Sequence, residues 1–297
     1  MDRRADPTEH LPNSYVSRRS TEAQAFSDWT KPTGTLGELT DEAHARAATL
    51  RSSLAELRRQ AKVATTPPSF AGSLHNSNVA VIAEVKRSSP SKGVINSALD
   101  VEQQARAYDD GGAAAISILT EPSRFAGSNE DLVKAAAATH LPLLKKDFHV
   151  DIAQIYEARA LGAAAALVIV RAVDPDRLRE LIEAGREVGL DILVEVRDEN
   201  ELRLALSLGA GIIGVNNRNL ETLEIDATTA TRVIPHVPKG VIAIAESGVK
   251  TVEDVTRLAA AGADAVLVGS ELSAAADPER SVRSLTGIRR NGSARKG

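Results

Sequence analysis

The chain has no cysteine, one methionine and one tryptophan, and only 3% of its 297 residues are aromatic. Without thiols there are no disulfide staples, no thiolate nucleophile and no cysteine-ligated metal. No apolar run approaches the ~18 residues that a membrane span needs, and the opening MDRRADPTEHLPNS has no signal-peptide core. Neither sign of charge dominates. The formal net charge of -4 gives no electrostatic reason to expect nucleic acid or an anionic membrane as partner. The histidines (His10, His44, His75, His140, His149 and His236) fall in the tail, helices or loops, and none pair at ligand spacing. His149, just past an apolar run, is placed to line the mouth but reads rather as a surface histidine. What is left is a globular chain, expected in the cytoplasm and long enough to bury a large core.

Residues 1–34 are polar, carry Pro7, Pro12 and Pro32, and show no sustained period. They read as a disordered tail, with Phe26 and Trp29 as its only large apolar side chains near the end. From Leu36 to Gln60 the pattern turns helical. Thr40 precedes Asp41 and Glu42 as an N-cap would, and Leu50, Leu54 and Leu57 recur at helical spacing. A loop with one short helix follows over 64–78, which completes an N-terminal helical extension over 35–78.

A rhythm then sets in. Short β-type runs appear at 79–85, 114–120, 142–148, 165–170, 191–196, 211–217, 241–247 and 265–270, separated by helix-patterned stretches such as PDRLRELIEAGREVG. Several of those stretches close in Gly just past the last apolar residue. The runs are continuously apolar rather than alternating, as strands buried on both faces are. Eight strands, each followed by a helix, make an α/β chain: a (β/α)8 TIM barrel over 79–288, with 289–297 as a flexible C-terminal tail. An open doubly wound sheet would place a glycine-rich dinucleotide fingerprint after its first strand. Here that place holds Lys86, Arg87, Ser88, Ser89 and Pro90.

Such barrels carry their chemistry at the C-terminal strand ends. The first strand ends in Glu84 and Lys86, the third in Lys145, Lys146, Asp147 and Phe148, and the fifth carries Glu195. The sixth ends in Asn216, Asn217 and Arg218, the seventh in Glu246, Ser247 and Gly248, the eighth in Gly269 and Ser270. Charges at one strand end read equally well as solvated surface. Their recurrence at several ends, each after an apolar run, points to a site. Small residues at the last two ends expose backbone N–H groups suited to a phosphate, although either glycine alone would suit an ordinary turn. Lysines and glutamates sharing one mouth supply an acid, a base and an anion anchor, and part of the set would serve equally as a salt-bridge network. Lys145 should face away from Lys146, because neighbouring strand residues point to opposite sides.

Six blocks, IAEVKRSSPSKG, LPLLKKDF, LVEVRDENEL, IIGVNNRNLETLEID, IAESGV and VLVGSEL, stand in an order and spacing that resembles indole-3-glycerol phosphate synthase of tryptophan biosynthesis, from about Leu36 to the end of the eighth strand. The resemblance implies a carboxy-lyase that converts 1-(2-carboxyphenylamino)-1-deoxyribulose 5-phosphate to indole-3-glycerol phosphate, carbon dioxide and water. It assigns Lys146 as general acid in ring closure and Glu195 as acid-base partner in the dehydration. Glu84 and Lys86 would position the substrate and tune Lys146, with Lys86 reaching the phosphate as well. Asn216 would hold the reacting chain, and Glu246 and Ser247 would be active-site residues of the seventh strand. Ser89 and Arg218 fall where the family binds the anthranilate carboxylate, Phe148 where it places an apolar wall, and Gly248, Gly269 and Ser270 in its phosphate cradle. No step of this chemistry needs a metal or redox cofactor. The expected partner is a small phosphorylated substrate, with other tryptophan-pathway enzymes as candidate neighbours.

Three features depart from that pattern. The tail before Leu36 is longer than the family core. Arg171 stands at the end of the fourth strand where small apolar residues are common, and both an anion contact and a solvent-facing position are open to it. SRFAGS has one aromatic, Phe125, where two are usual. Competing readings are an isomerase acting on phosphoribosylanthranilate, which would need a cysteine, an aldolase with Lys146 as Schiff-base nucleophile, and a catalytically dead barrel kept as a binding subunit.

Overall fold

A computed structural model describes residues 29–295. Most of the stretch read as a disordered tail, Phe26 included, and residues 296–297 lie outside the described residues. The helical extension consists of α1 (Gly34–Arg51) and α2 (Leu54–Val63), parted at Ser52 and Ser53, and a single turn, α3 (Phe70–Ser73). α1 starts earlier than the cap-like sequence at Thr40 suggests. Its N-cap is Thr33, and Thr40 lies buried within the helix, its hydroxyl donating to the Gly37 carbonyl at 2.9 Å. The apolar stripe explains the difference: Leu36, Leu39, Ala43 and Ala47 share one helical face and are all buried, so burial carries the helix past Thr40.

The barrel opens with β1 (Ala80–Val85), followed by a small antiparallel hairpin of β2 (Ser88–Ser89) and β3 (Gly93–Val94). Then come β4 (Ala115–Leu119), β5 (Leu143–Lys146), β6 (Ala165–Ile169), β7 (Asp191–Val196), β8 (Ile212–Asn216), β9 (Ile242–Glu246) and β10 (Ala265–Val268). The intervening helices are α4 (Val101–Asp110), α5 (Asn129–Ala138), α6 (Ile152–Ala160), α7 (Pro175–Val188), α8 (Glu199–Ser207), α9 (Thr229–Val233) and α10 (Val252–Ala260). α11 (Ser270–Ser273) and α12 (Pro278–Leu285) follow the last strand. Every barrel pairing is parallel, and β1 joins both β4 and β10, so the sheet closes. The eight apolar runs of the sequence are the eight barrel strands. Their side chains are buried along almost the whole length because helices cover the outside and side chains fill the inside.

The end of β5 shows how the strand period sorts neighbouring charges. Lys145 turns outward and pairs with Glu157 of α6 at 3.0 Å, whereas Lys146 turns inward to the carboxylates of β1 and β9. α2 packs along α6, which ties the extension to the barrel wall. Of the stretch read as a C-terminal tail, residues 289–295 run along the barrel: Arg289 bridges Asn78, while Arg290 and the buried Arg295 both pair with the buried Asp264. Among the described residues no helix is long and apolar enough to cross a membrane.

Candidate active site

The C-terminal strand ends surround a cavity of about 190 Å³. Every residue that the resemblance assigns to the site lines it, whereas Lys145 and Asn217 do not: Glu84, Lys86 and Ser89 come from the first strand and its loop, Lys146 and Phe148 from β5, and Glu195 from β7. Asn216 and Arg218 come from β8 and its loop, Glu246, Ser247 and Gly248 from β9, and Gly269 and Ser270 from the end of β10.

A compact charge cluster forms the floor. Lys86 Nζ donates to Glu84 Oε1 at 2.6 Å, and Lys146 Nζ lies 3.7 Å from Glu84 Oε2 and 3.3 Å from Glu246 Oε2. Two glycines make the crowding possible. A Cβ on Gly214 would overlap Glu246 Oε1, and one on Gly269 would overlap Glu84 Oε1 and press on Lys86 Nζ. Gly269 therefore leaves room for the first-strand pair as well as exposing backbone. The hydroxyl of Ser117 donates to Glu84 Oε2 at 3.4 Å, while Tyr108 and Ser273 donate to the Glu84 carbonyl and fix the strand end.

Charge balance sets the protonation states. Burial alone would push the Lys146 ammonium down, but Glu246, Glu84 and Glu195 outweigh it and raise its pKa above the ordinary lysine range. Burial pushes Glu84 up, yet the two lysines pull it below the ordinary carboxylate range. Glu246 has no such excess of partners. Burial, with Glu195 and Glu84 nearby, pushes it up to about 8 against the pull of Lys146, and burial raises Glu195 as well. Three carboxylates face two ammonium groups, and the excess negative charge favours keeping Glu246 protonated near neutral pH. Glu246 pairs with Lys146 through Oε2 at 3.3 Å, while its buried Oε1 has no hydrogen-bond partner.

Around the floor, the Asn216 side chain accepts from Arg218 N at 2.9 Å, and Arg218 is anchored on the Leu223 carbonyl at 2.8 Å. Ser247 (φ 65) and Gly248 (φ 81) are both left-handed. For serine that backbone is strained by about 1–2 kcal/mol, and it is held by the Asn217 amide, which donates to the Ser247 carbonyl at 2.9 Å.

Two expectations change. His149 is not on the surface: it is 1% exposed, with Nδ1 2.6 Å from the Leu167 carbonyl, because the chain after β5 folds back against β6. Burial, helped by Lys145, pushes its pKa down to about 4, so it is a neutral structural group. Arg171 takes neither of the two placements open to it. It pairs with Glu221 at 3.0 Å and donates to the carbonyls of Thr30 and Lys31, strapping the chain ahead of α1 to the loop after β8. The extension itself reaches the cavity: Thr35 and Leu39 line it, so α1 covers part of the mouth. Those two were missed because Leu39 belongs to a helical stripe that reads as core. Leu220, Leu223 and Ile225 also line it from an irregular loop, where no period marks a side chain's direction.

A family model described as indole-3-glycerol phosphate synthase matches residues 39–285. An indole-3-glycerol phosphate synthase of Mycolicibacterium vanbaalenii is 48% identical over 233 residues, covering 78% of this chain and 86% of that protein. Indole-3-glycerol phosphate synthase 2 of Streptomyces coelicolor is 44% identical over 256 residues, covering 86% of this chain and 99% of that protein. Among solved structures, a thiamine phosphate pyrophosphorylase from Pyrococcus furiosus superposes with a TM-score of 0.55 at 16% identity, covering 70% of this chain and 93% of that one. That likeness speaks for the barrel alone. With a closed barrel, a cavity with charged residues on its floor at the C-terminal face and a match that spans the barrel strands, the chain belongs to the indole-3-glycerol phosphate synthase family.

Proposed function

We propose that Lys146 is the proton donor and Glu195 the principal proton acceptor as this enzyme turns 1-(2-carboxyphenylamino)-1-deoxyribulose 5-phosphate into indole-3-glycerol phosphate, carbon dioxide and water. The observation that carries the assignment is the setting of Lys146. It stands on the cavity floor among three carboxylates, so its ammonium is fully loaded with its proton at neutral pH.

Ring closure joins the ring carbon that bears the carboxylate to the ketone carbon of the ribulose chain. The carbonyl electron pair moves onto oxygen, and Lys146 supplies the proton that oxygen needs. The carboxylate then leaves as carbon dioxide, and its bonding pair restores the aromatic ring. The new hydroxyl departs as water with a proton from Glu195, whose carboxylate then accepts the proton that the ring gives up as the double bond forms, and Lys146 regains its proton from solvent. Glu84 and Lys86 position the chain and tune Lys146, and Asn216 and Ser247 hold it. Glu246, whose buried Oε1 lacks a donor, suits a substrate hydroxyl group. Ser89 and Arg218 take the carboxylate, Phe148 meets the ring, and Gly248, Gly269 and Ser270 offer backbone N–H groups to the phosphate, with Lys86 beside them.

The same proposal has residues 35–78 as an extension that serves the barrel of 79–288, the cytoplasm as compartment, and other tryptophan-pathway enzymes as neighbours. Its support is the small phosphorylated substrate of the family and the packing of α2 along α6. Purified protein given the substrate should produce indole absorbance and fluorescence. A folded sample that binds the substrate without turnover would refute the enzymatic reading.

A further inference from the structure

Phe125 and Phe148 form a tilted aromatic pair at the cavity, with ring centroids 6.3 Å apart. They come from different strand ends, so something must fix one against the other. Each backbone amide is held by a carboxylate: Phe125 N donates to Glu121 Oε2 at 3.1 Å, and Phe148 N donates to Asp147 Oδ1 at 2.8 Å. Glu121 also accepts from the Ser123 and Arg124 amides at 2.8 Å each, so it shapes the whole turn that presents Phe125. Asp147 also accepts from Thr120 Oγ1 at 2.8 Å, and the Thr120 amide donates to the Lys146 carbonyl at 3.0 Å.

Both carboxylates are buried, and they share one cation. Arg46 of α1 reaches Asp147 Oδ1 with Nη2 at 2.7 Å and Glu121 Oε1 with Nη1 at 3.5 Å. The two ends of the planar fork thus hold two loops at a separation fixed by the guanidinium, with a directional geometry that an ammonium does not impose.

We infer that Arg46 is a positioning residue: from the leader helix it sets the aromatic wall of Phe125 and Phe148, and through that wall it determines which substituted rings the site accepts. The inference rests on the proposed reaction, in which the substrate ring lies against Phe148. It gives the extension a role in substrate selection beyond covering the mouth. Arg46 touches no reacting atom in this account, so its loss should act on binding and selectivity more than on the chemical step.

The test uses the full chain, with the substrate and its analogue carrying chlorine on the benzene ring. Arg46→Met keeps the aliphatic stem and removes the fork. It should raise KM about tenfold with kcat lowered less than about threefold, and it should shrink the preference in kcat/KM for the unsubstituted ring. Arg58→Ala is the control, because Arg58 joins the extension to the barrel through Glu187 of α7 rather than through Glu121 or Asp147, and it should leave KM and preference as they are. If Arg46→Met does not fold, Arg46→Lys decides: it keeps a cation without the fork and should show the same two shifts in weaker form. A folded Arg46 variant with wild-type KM and wild-type preference overturns the inference alone. A wild-type enzyme with no turnover overturns the reaction assignment and the inference together.

Discussion

Lys146 Nζ stands 3.3 Å from Oε2 of Glu246, a buried carboxylate. The pair comes from β5 and β9, which are not neighbours in the sheet, so only closure of the barrel brings the two together. The lysine is held charged and the glutamate is held partly protonated. Separated protonation states of this kind are what acid-base chemistry near neutral pH requires.

The pH dependence of activity follows from Glu246. Its pKa is pushed up to about 8, so raising the pH through that value adds a negative charge to a site that must accept a phosphate and a carboxylate. kcat/KM should fall as pH rises through about 8, and Glu246→Gln should remove that alkaline limb. Lys146, raised above the ordinary lysine range, cannot produce it. A pH profile of both proteins checks this.

Stability depends on the same group. The folded-state pKa of about 8 lies above the ordinary 4.5, so between those values the unfolded chain releases a proton that the folded chain keeps. The Glu246 contribution therefore declines as pH rises from about 4.5 through about 8. Glu246→Gln should flatten that decline and melt higher than wild type at pH 8.5, while turning over more slowly. Thermal melts across the pH range read it directly.

Neighbouring lysines should behave differently. Lys145 is 2% exposed and pairs with Glu157 on the outer side of the barrel wall. Lys145→Met leaves that carboxylate without its partner and should cost about 2–4 kcal/mol of stability in urea unfolding, with kcat within about threefold of wild type.

Gly269 leaves room for Glu84 and Lys86, so even one methyl group there is too many. Gly269→Ala should cost about 1–3 kcal/mol and lower kcat/KM, because the first-strand pair must move to admit the Cβ. Unfolding curves and steady-state kinetics test both parts.

The fold was legible because eight continuous apolar runs can be buried only if both faces are covered, and the closed barrel does that. The site was legible because Glu84, Lys146, Glu195 and Glu246 each end such a run, where the architecture collects its chemistry. Local pattern failed where tertiary contact overrides it. Thr40 has a cap's neighbours but lies within a helix that burial extends toward Leu36. His149 follows a strand yet tucks under β6, and Arg171 finds Glu221 fifty residues further along the chain. Arg46 carried no signal at all, since a charge on an amphipathic helix reads as solvated until its two carboxylate partners are seen.

Lys146→Ala is the most direct test of the central assignment. A proton donor acts mainly in the transition state, so kcat should fall about 10²–10⁴-fold while KM stays within a few-fold of wild type. A folded Lys146→Ala enzyme that keeps kcat within about threefold of wild type would contradict the account.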